Sequence, residues 1–355
     1  LADGDSLSYD ILILATGARP RKLECSGTDS TELHYLRDLG DAERLGAALR
    51  KAKSVAIIGG GFIGLELASA ARKLGAAVTV IEAQPRLMTR LLPAGPADHL
   101  AGIARENGVE IDLGARITHV SDTGVGLGDG RMIEADCIIA GIGAIPNDEL
   151  AGTAGIKTAE RGGILVDMVS RTNLPGVYAV GDVAVRQDRF GGPEIRMESW
   201  QNARLSADRA ARHIAKLGPA AEDGPWFWSD LFGTTVQIFG HTDADMPVIR
   251  RDGDKAPVFM GQDGLGRVKC VIDFGDPSAL RAAKALMANG QPLATDGSGA
   301  SNSKEDDMKH QPIESRFVWP AEGLARVPDW VYTNDEIYER EVERIFHGRT
   351  WNYVG

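Results

Sequence analysis

Residues Ser54–Glu82 read SVAIIGGGFIGLELASAARKLGAAVTVIE, and no other stretch restricts the architecture of this chain as tightly. An apolar run, Val55 to Ile58, stops at Gly59-Gly60-Gly61-Phe62-Ile63-Gly64, which fits G-x-G-x-x-G. A helical pattern follows, with Ile63, Leu67, Ala70, Ala71 and Leu74 on one face. Arg72 and Lys73 fall in its last turn, where cations suit the helix dipole, and Gly75 can serve as a left-handed cap. A second apolar run, Ala77 to Ile81, ends on the acid Glu82. Strand, glycine turn, helix and parallel strand, closed by a carboxylate about 20 residues on, make the fingerprint of a dinucleotide-binding unit.

Each residue type has a physical reason. Gly59 permits the tight turn, and Gly61 lets the backbone approach a pyrophosphate with no Cβ in the way. Gly64 lets helix and strand pack closely, while the helix N-terminus offers free N–H donors to phosphate. Glu82 can accept from a ribose 2′-OH and would repel a 2′-phosphate, which predicts NADH rather than NADPH. Ala83-Gln84-Pro85 supply no cation, and Arg86 is the nearest one.

At 355 residues the chain has room for two or three domains. A formal charge of −11 argues against nonspecific nucleic-acid binding. No uninterrupted apolar run reaches the ~18 residues of a membrane helix, so a soluble cytoplasmic protein is expected. Cys25, Cys137 and Cys270 lie far apart with no C-x-x-C, which fits a reducing compartment and offers no metal framework. Cys137, in an apolar strand, is expected to be inert core.

Residues 1–20 align without gaps on residues 127–146. Both copies carry an Asp-Gly turn (Asp3-Gly4, Asp129-Gly130), an Asp before a strand (Asp10, Asp136) and an apolar run. Both then close with a glycine and a proline (Gly17, Pro20; Gly143, Pro146). Such self-similarity predicts two copies of one nucleotide-binding design. The second copy has its fingerprint at Gly59; by the same offset, the first would have its own upstream of residue 1. The expectation is therefore a chain that begins inside a domain.

Around this frame, helices are expected from about Gly40, over Pro96–Asn107 and over Gln201–Leu217. Strands are expected over Val109–Leu113 and Gly163–Val166. After Pro225 the texture changes to short alternating strands (Thr235–Gly240, Pro247–Arg251, Val258–Met260, Arg267–Ile272) and a helix at Ser278–Asn289. Residues 295–307 have linker composition, and Thr333-Asn334-Asp335-Glu336 fits a capping box.

Several stretches together resemble the FAD-dependent NADH:ferredoxin reductases of oxygenase systems, the putidaredoxin reductase and biphenyl dioxygenase reductase type. They are Tyr9-Asp10 with Ala15-Thr16-Gly17, the run GGGFIGLE to Glu66, Ala140-Gly141-Ile142-Gly143 with Pro146-Asn147, Val180-Gly181-Asp182, and Glu198 to Ala203. The resemblance implies an α/β flavoprotein of the glutathione-reductase type, with two dinucleotide-binding domains and a small C-terminal α+β domain. It divides the chain into FAD domain 1–37, NAD domain 38–147, FAD domain continued 148–222 and interface domain 223–296. The implied cofactors are FAD and NADH. Asp182, after Gly181, would bond the FAD ribityl chain; Thr16 and Gly17 would face the FAD pyrophosphate, with Gly143 in the matching turn of the second copy. Arg37 would contact FAD, Trp200 would lie beside the isoalloxazine, and Glu66 near the nicotinamide. The partner would be a [2Fe-2S] ferredoxin; Arg204, Arg209 and Arg212 could meet it, though a solvated helix face explains them more simply.

Residues 326–355, after an arm over 297–325, resemble the start of a Rieske oxygenase large subunit, without the C-x-H and C-x-x-H ligands such a subunit needs. The joint implication is a fragment of an NADH:ferredoxin oxidoreductase joined to the first residues of the ring-hydroxylating oxygenase it serves. Two rivals share the fold: an NADH oxidase or peroxidase, and a non-catalytic NADH sensor related to apoptosis-inducing factor.

Overall fold

The computed structural model describes residues 8–186, 194–219, 225–253 and 255–289. The chain divides into two units, Leu1–Ala294 and Thr295–Gly355. The Asp3-Gly4 turn, the arm 297–325 and the oxygenase-like segment 326–355 lie outside the described residues.

At the centre is a five-stranded, wholly parallel sheet in the order Leu33–His34, Cys137–Ala140, Ser54–Ile58, Ala77–Glu82, Val109–Leu113. Its inner strands are continuous apolar runs because both faces are covered, and Val55 to Ile58 and Cys137 to Ala140 are all buried. Burial pushes the Cys137 thiol up to about 12, which makes it the inert core residue expected. Helices span Leu39–Leu49, Phe62–Lys73 and Ala94–Glu106. The first is set by Asp38, whose side chain accepts from Asp41 N–H while the Asp41 carboxylate reaches back to the cap backbone. Leu33–His34 already belongs to this sheet, ahead of residue 38.

The fingerprint helix buries a different face from the one its periodicity predicts. Gly64, Leu65, Ala68, Ser69 and Ala71 are buried, whereas Ile63 is 51% and Leu74 53% exposed. The helix is packed on two sides, by its own sheet and by the strand Trp226–Leu231, where Phe227 meets Phe62 with ring centroids 4.6 Å apart. A helix held from two directions buries a broad arc, and a single stripe misplaces it.

The meander Ile117–Ser121, Gly124–Leu127, Met132–Glu134 flanks the parallel sheet, with Gly130 in the left-handed region at the Asp129-Gly130 turn. The repeat is visible in space. Leu12–Leu14 and its counterpart Ile138–Ala140 both lie in parallel pairing, the first with Val177–Ala179 and the second within the central sheet. The two copies then meet: Ala18–Pro20 runs antiparallel to Ala144–Pro146, with Arg19 opposite its own counterpart Ile145.

The C-terminal part is an antiparallel sheet in the order Trp226–Leu231, Thr234–Gly240, Val268–Asp273, Pro257–Gln262, Val248–Asp252, backed by the helix Pro277–Asn289. Trp226–Leu231 is the strand the sequence did not announce. The inward residues of the C-terminal sheet continue the core of the central sheet: Leu231, Val236, Ile238, Phe259, Ile272 and Phe274 form one cluster with Leu65, Ala68, Leu87, Leu92 and Leu100.

Candidate functional site

The three fingerprint glycines separate into two kinds. Gly59 adopts φ +111°, and a Cβ there would lie 2.3 Å from Gly141 O. At Gly64 a Cβ would lie 2.1 Å from Gly59 O, which is the close helix–strand approach. Both are demanded by the protein itself. Gly61 is not: its backbone is ordinary extended chain (φ −86°, ψ −178°), and a Cβ there would meet nothing within 4 Å. As the cap of the helix Phe62–Lys73 it makes no side-chain bond, so the first-turn N–H groups keep their positive potential. A residue that only a ligand requires to be glycine is what a pyrophosphate cradle would leave behind.

Glu82 closes the turn. Its Oε2 accepts from Gly60 N–H at 2.7 Å and its Oε1 from Gln84 N–H at 2.8 Å. A carboxylate has roughly four acceptor positions, so the outer lone pairs remain for a ribose diol. Arg86, the nearest cation in sequence, is committed elsewhere: it donates to Leu92 O at 2.6 Å and to Ala244 O at 3.4 Å. Glu66 projects from the second turn of the same helix and accepts from the Ser229 hydroxyl at 2.5 Å. This contact ties the turn to the C-terminal sheet.

A second cluster gathers the other predicted residues from five separate stretches. Arg37 Nη2 pairs with Asp182 Oδ2 at 3.0 Å and lies over Gly17, whose φ is +66°. Gly181, also left-handed, donates from its N–H to Ser206 Oγ at 3.0 Å, which holds the Gly181-Asp182 turn against the helix Trp200–Ile214. Thr16 Oγ1 donates to Asn147 O at 2.6 Å, and Gly143 has open space where a Cβ would be. Trp200 occupies the first helical position and is 71% exposed, so it is not the core residue its type suggests. Beside it, Gln201 Oε1 is buried and has no hydrogen-bond partner among the described residues.

Glu198, Asn147 and Ser206 also shape this cluster and were not singled out by sequence reasoning, although Glu198 and Asn147 lie inside the motifs that carry the resemblance. Glu198 pairs with Arg196 at 2.7 Å, its side chain 37% exposed. Partial burial pushes its carboxyl up against the opposing pull of Arg196, and Asp182 adds to the rise. Of the helix arginines, Arg212 pairs with Asp208 at 2.8 Å and Arg204 lies 5.9 Å over the Trp200 ring.

Comparison with known proteins shows the family. A family model described as pyridine nucleotide-disulphide oxidoreductase matches residues 1–207, and one described as reductase C-terminal matches residues 226–302. The ferredoxin–NAD(+) reductase component of a p-cumate 2,3-dioxygenase system from Pseudomonas putida is 39% identical over 262 residues, 73% of this chain and 64% of that protein. A rubredoxin–NAD(+) reductase from Pseudomonas putida is 40% identical over 243 residues, 67% of this chain and 63% of that protein. The chain therefore spans somewhat under two thirds of the length of these two relatives. Among solved structures, the covalent putidaredoxin reductase–putidaredoxin complex superposes with a TM-score of 0.76 at 32% identity, covering 82% of this chain and 72% of that one.

Proposed function

The chain belongs to the pyridine nucleotide-disulphide oxidoreductase family, and from that premise we propose that it is the NADH- and FAD-binding part of an NADH:ferredoxin oxidoreductase. The observation that carries the reading is Gly61, a glycine that the fold does not need and a phosphate would. The relatives named ferredoxin and rubredoxin reductases supply the class of electron acceptor.

In this reading the helix Phe62–Lys73 holds the NADH pyrophosphate on its first N–H groups over Gly61, and Glu82 takes the ribose 2′-OH. Arg86, held by the carbonyls of Leu92 and Ala244, does not favour a 2′-phosphate. Thr16, Gly17, Gly143 and Arg37 line the FAD side, Gly181 aims Asp182 at the ribityl hydroxyls, and Trp200 offers its exposed indole to the ring system. Glu66 lies toward the nicotinamide. Bound FAD would take hydride from NADH and release electrons singly to a [2Fe-2S] ferredoxin, which feeds a Rieske ring-hydroxylating oxygenase. The chain's own part is to bind, orient and shield; no side-chain nucleophile or acid is required. The domain division follows: FAD-binding 1–37 apart from the strand Leu33–His34, and 148–222; NAD-binding 38–147 together with that strand; and an interface domain 223–296 that shares its core with the NAD-binding part. Cys25, Cys137 and Cys270 are all unpaired, which suits a cytoplasmic location.

The test is NADH-driven cytochrome c reduction by the flavin-loaded protein with and without a [2Fe-2S] ferredoxin, with rubredoxin in a parallel arm. Turnover that depends on the carrier supports the reading. Carrier-independent oxygen consumption at the same rate would replace it with an oxidase.

A further inference from the structure

Ala18–Pro20 and Ala144–Pro146 join the two halves of the molecule, and only one side of their crossing carries a polar network. The backbone there is two-fold symmetric: Arg21 N–H donates to Gly143 O and Asn147 N–H to Gly17 O, both at 2.9 Å, in equivalent positions of the two repeat copies. The side chains break that symmetry. Asn147 Nδ2 donates to Thr16 O at 2.8 Å, and its Oδ1 accepts from Arg19 Nη1 at 2.7 Å. Its carbonyl accepts from Thr16 Oγ1 at 2.6 Å. Arg19 then reaches on to Glu149 at 2.7 Å. The counterparts in the other copy are Arg21 for Asn147, Ile142 for Thr16 and Ile145 for Arg19, and two of these have no polar group to give.

Three residues on each side make a short ladder, and an isolated two-stranded ribbon is marginal in water. A glycine at positive φ stands immediately before each strand, Gly17 at +66° and Gly143 at +100°, where the chain bends without a Cβ to resist it. The ladder alone would leave the crossing free to twist. The Asn147 amide, bonded to both ends of residues 16–19, is what stops it.

We propose that Asn147 is a positioning residue: its side chain clamps the crossing of the two linking strands and so fixes the Gly59–Gly64 turn relative to the Arg37–Asp182 cluster. The functional consequence rests on the two-cofactor reading above. Hydride transfer needs reacting atoms about 3–3.5 Å apart, so a small rotation about the crossing separates donor from acceptor without altering how either is held.

Hydrogen exchange on the full chain tests the clamp without flavin. In Asn147→Ala the amides of Arg19, Arg21, Ile145 and residue 147 should exchange about tenfold faster, while Val55–Ile58 and Val177–Ala179 keep their protection. Arg19→Met removes only the exposed arm and should give a smaller rise in the same segments; it decides the matter if the alanine variant does not fold. NAD+ affinity by calorimetry should stay within about twofold. In the flavin-loaded protein, the rate of flavin reduction at saturating NADH should fall while the half-saturating concentration holds, a split that general loss of stability does not produce. Unchanged exchange at the crossing overturns the clamp, as does a rise spread evenly through both sheets. If the unaltered chain itself fails to bind NAD+, the site reading falls while the exchange pattern still judges the clamp.

Discussion

Replacing Gly61 by valine should abolish nucleotide binding and leave the fold intact. The backbone at this position is extended (φ −86°, ψ −178°), a region valine adopts freely, and the space a Cβ would enter is empty to 4 Å. Loss of a glycine cap costs at most about 1 kcal/mol. It is offset by about 0.4–1 kcal/mol from the stiffer unfolded chain. The net is close to zero, so Tm should move by less than about 4 °C. Binding is another matter. A pyrophosphate on this turn would take charge-assisted bonds from backbone N–H groups, each about 1.5–3 kcal/mol. Pushing it off two of them costs about 3–6 kcal/mol, roughly a hundredfold to ten-thousandfold in Kd. The control is Gly64→Ala, whose Cβ would lie 2.1 Å from Gly59 O. That overlap should lower Tm clearly, since overpacking costs about 1–3 kcal/mol. Calorimetric titration of NAD+ beside a thermal melt reads both quantities. If Gly61→Val binds within about threefold of the unaltered chain, or melts as early as Gly64→Ala, the cradle lies elsewhere.

Glu82→Ala should weaken NADH and narrow its advantage over NADPH, because the ribose acceptor and the repulsion of a 2′-phosphate leave together; titration of both nucleotides measures the gap. Asp182→Ala should release FAD from the flavin-loaded protein while NAD+ binding persists, with visible absorption after gel filtration as the readout. It should lower Tm little, since the Arg37–Asp182 pair is partly exposed and such pairs contribute about 1 kcal/mol or less. His99 packs edge-on to Phe274 with centroids 4.6 Å apart, and burial, helped by Arg250, lowers its pKa below 6.5. Its stabilising share is present above pH 6.5 and is lost as pH falls through the lowered value, because the unfolded chain then binds more protons. His99→Phe should therefore flatten the acid side of the stability curve below pH 6.5, and an unchanged slope in urea melts across that range would remove His99 as the cause. Phe259→Ala should cost about 3–5 kcal/mol and destabilise the central sheet as well as the C-terminal one, since Phe259 lies in the core they share; a second, separate melting transition would show the two to be independent.

The fingerprint was legible because it is local. Val55 to Gly64 carries its own turn, its own helix start and its own reason for each glycine, and the structure adds only that Gly59 and Gly64 answer to the protein while Gly61 does not. The repeat was legible for the same kind of reason: Gly17 and Gly143 both need positive φ, and Leu12–Leu14 and Cys137–Ala140 both need a parallel neighbour. Helix and strand positions in the C-terminal part came within one or two residues where alternation was clear. Trp226–Leu231 was missed because two outward tryptophans, 37% and 40% exposed, disguise an alternating strand as an apolar patch.

Sequence alone therefore determined the glycine turn, its helix and most of the other elements, since these depend on residues within a few turns of each other. Tertiary structure decided which faces are buried and which charges meet. The fingerprint helix buries Leu65 and Ala68 because a strand more than 150 residues away covers it, with Ser229 on Glu66 at a separation of 163. Arg37 finds Asp182 across 145 residues, and Asn147 closes on Thr16 across 131. Periodicity records the environment of one element at a time. Contacts made by closing a loop of that length leave no periodic trace in either segment, and only the folded chain brings them together.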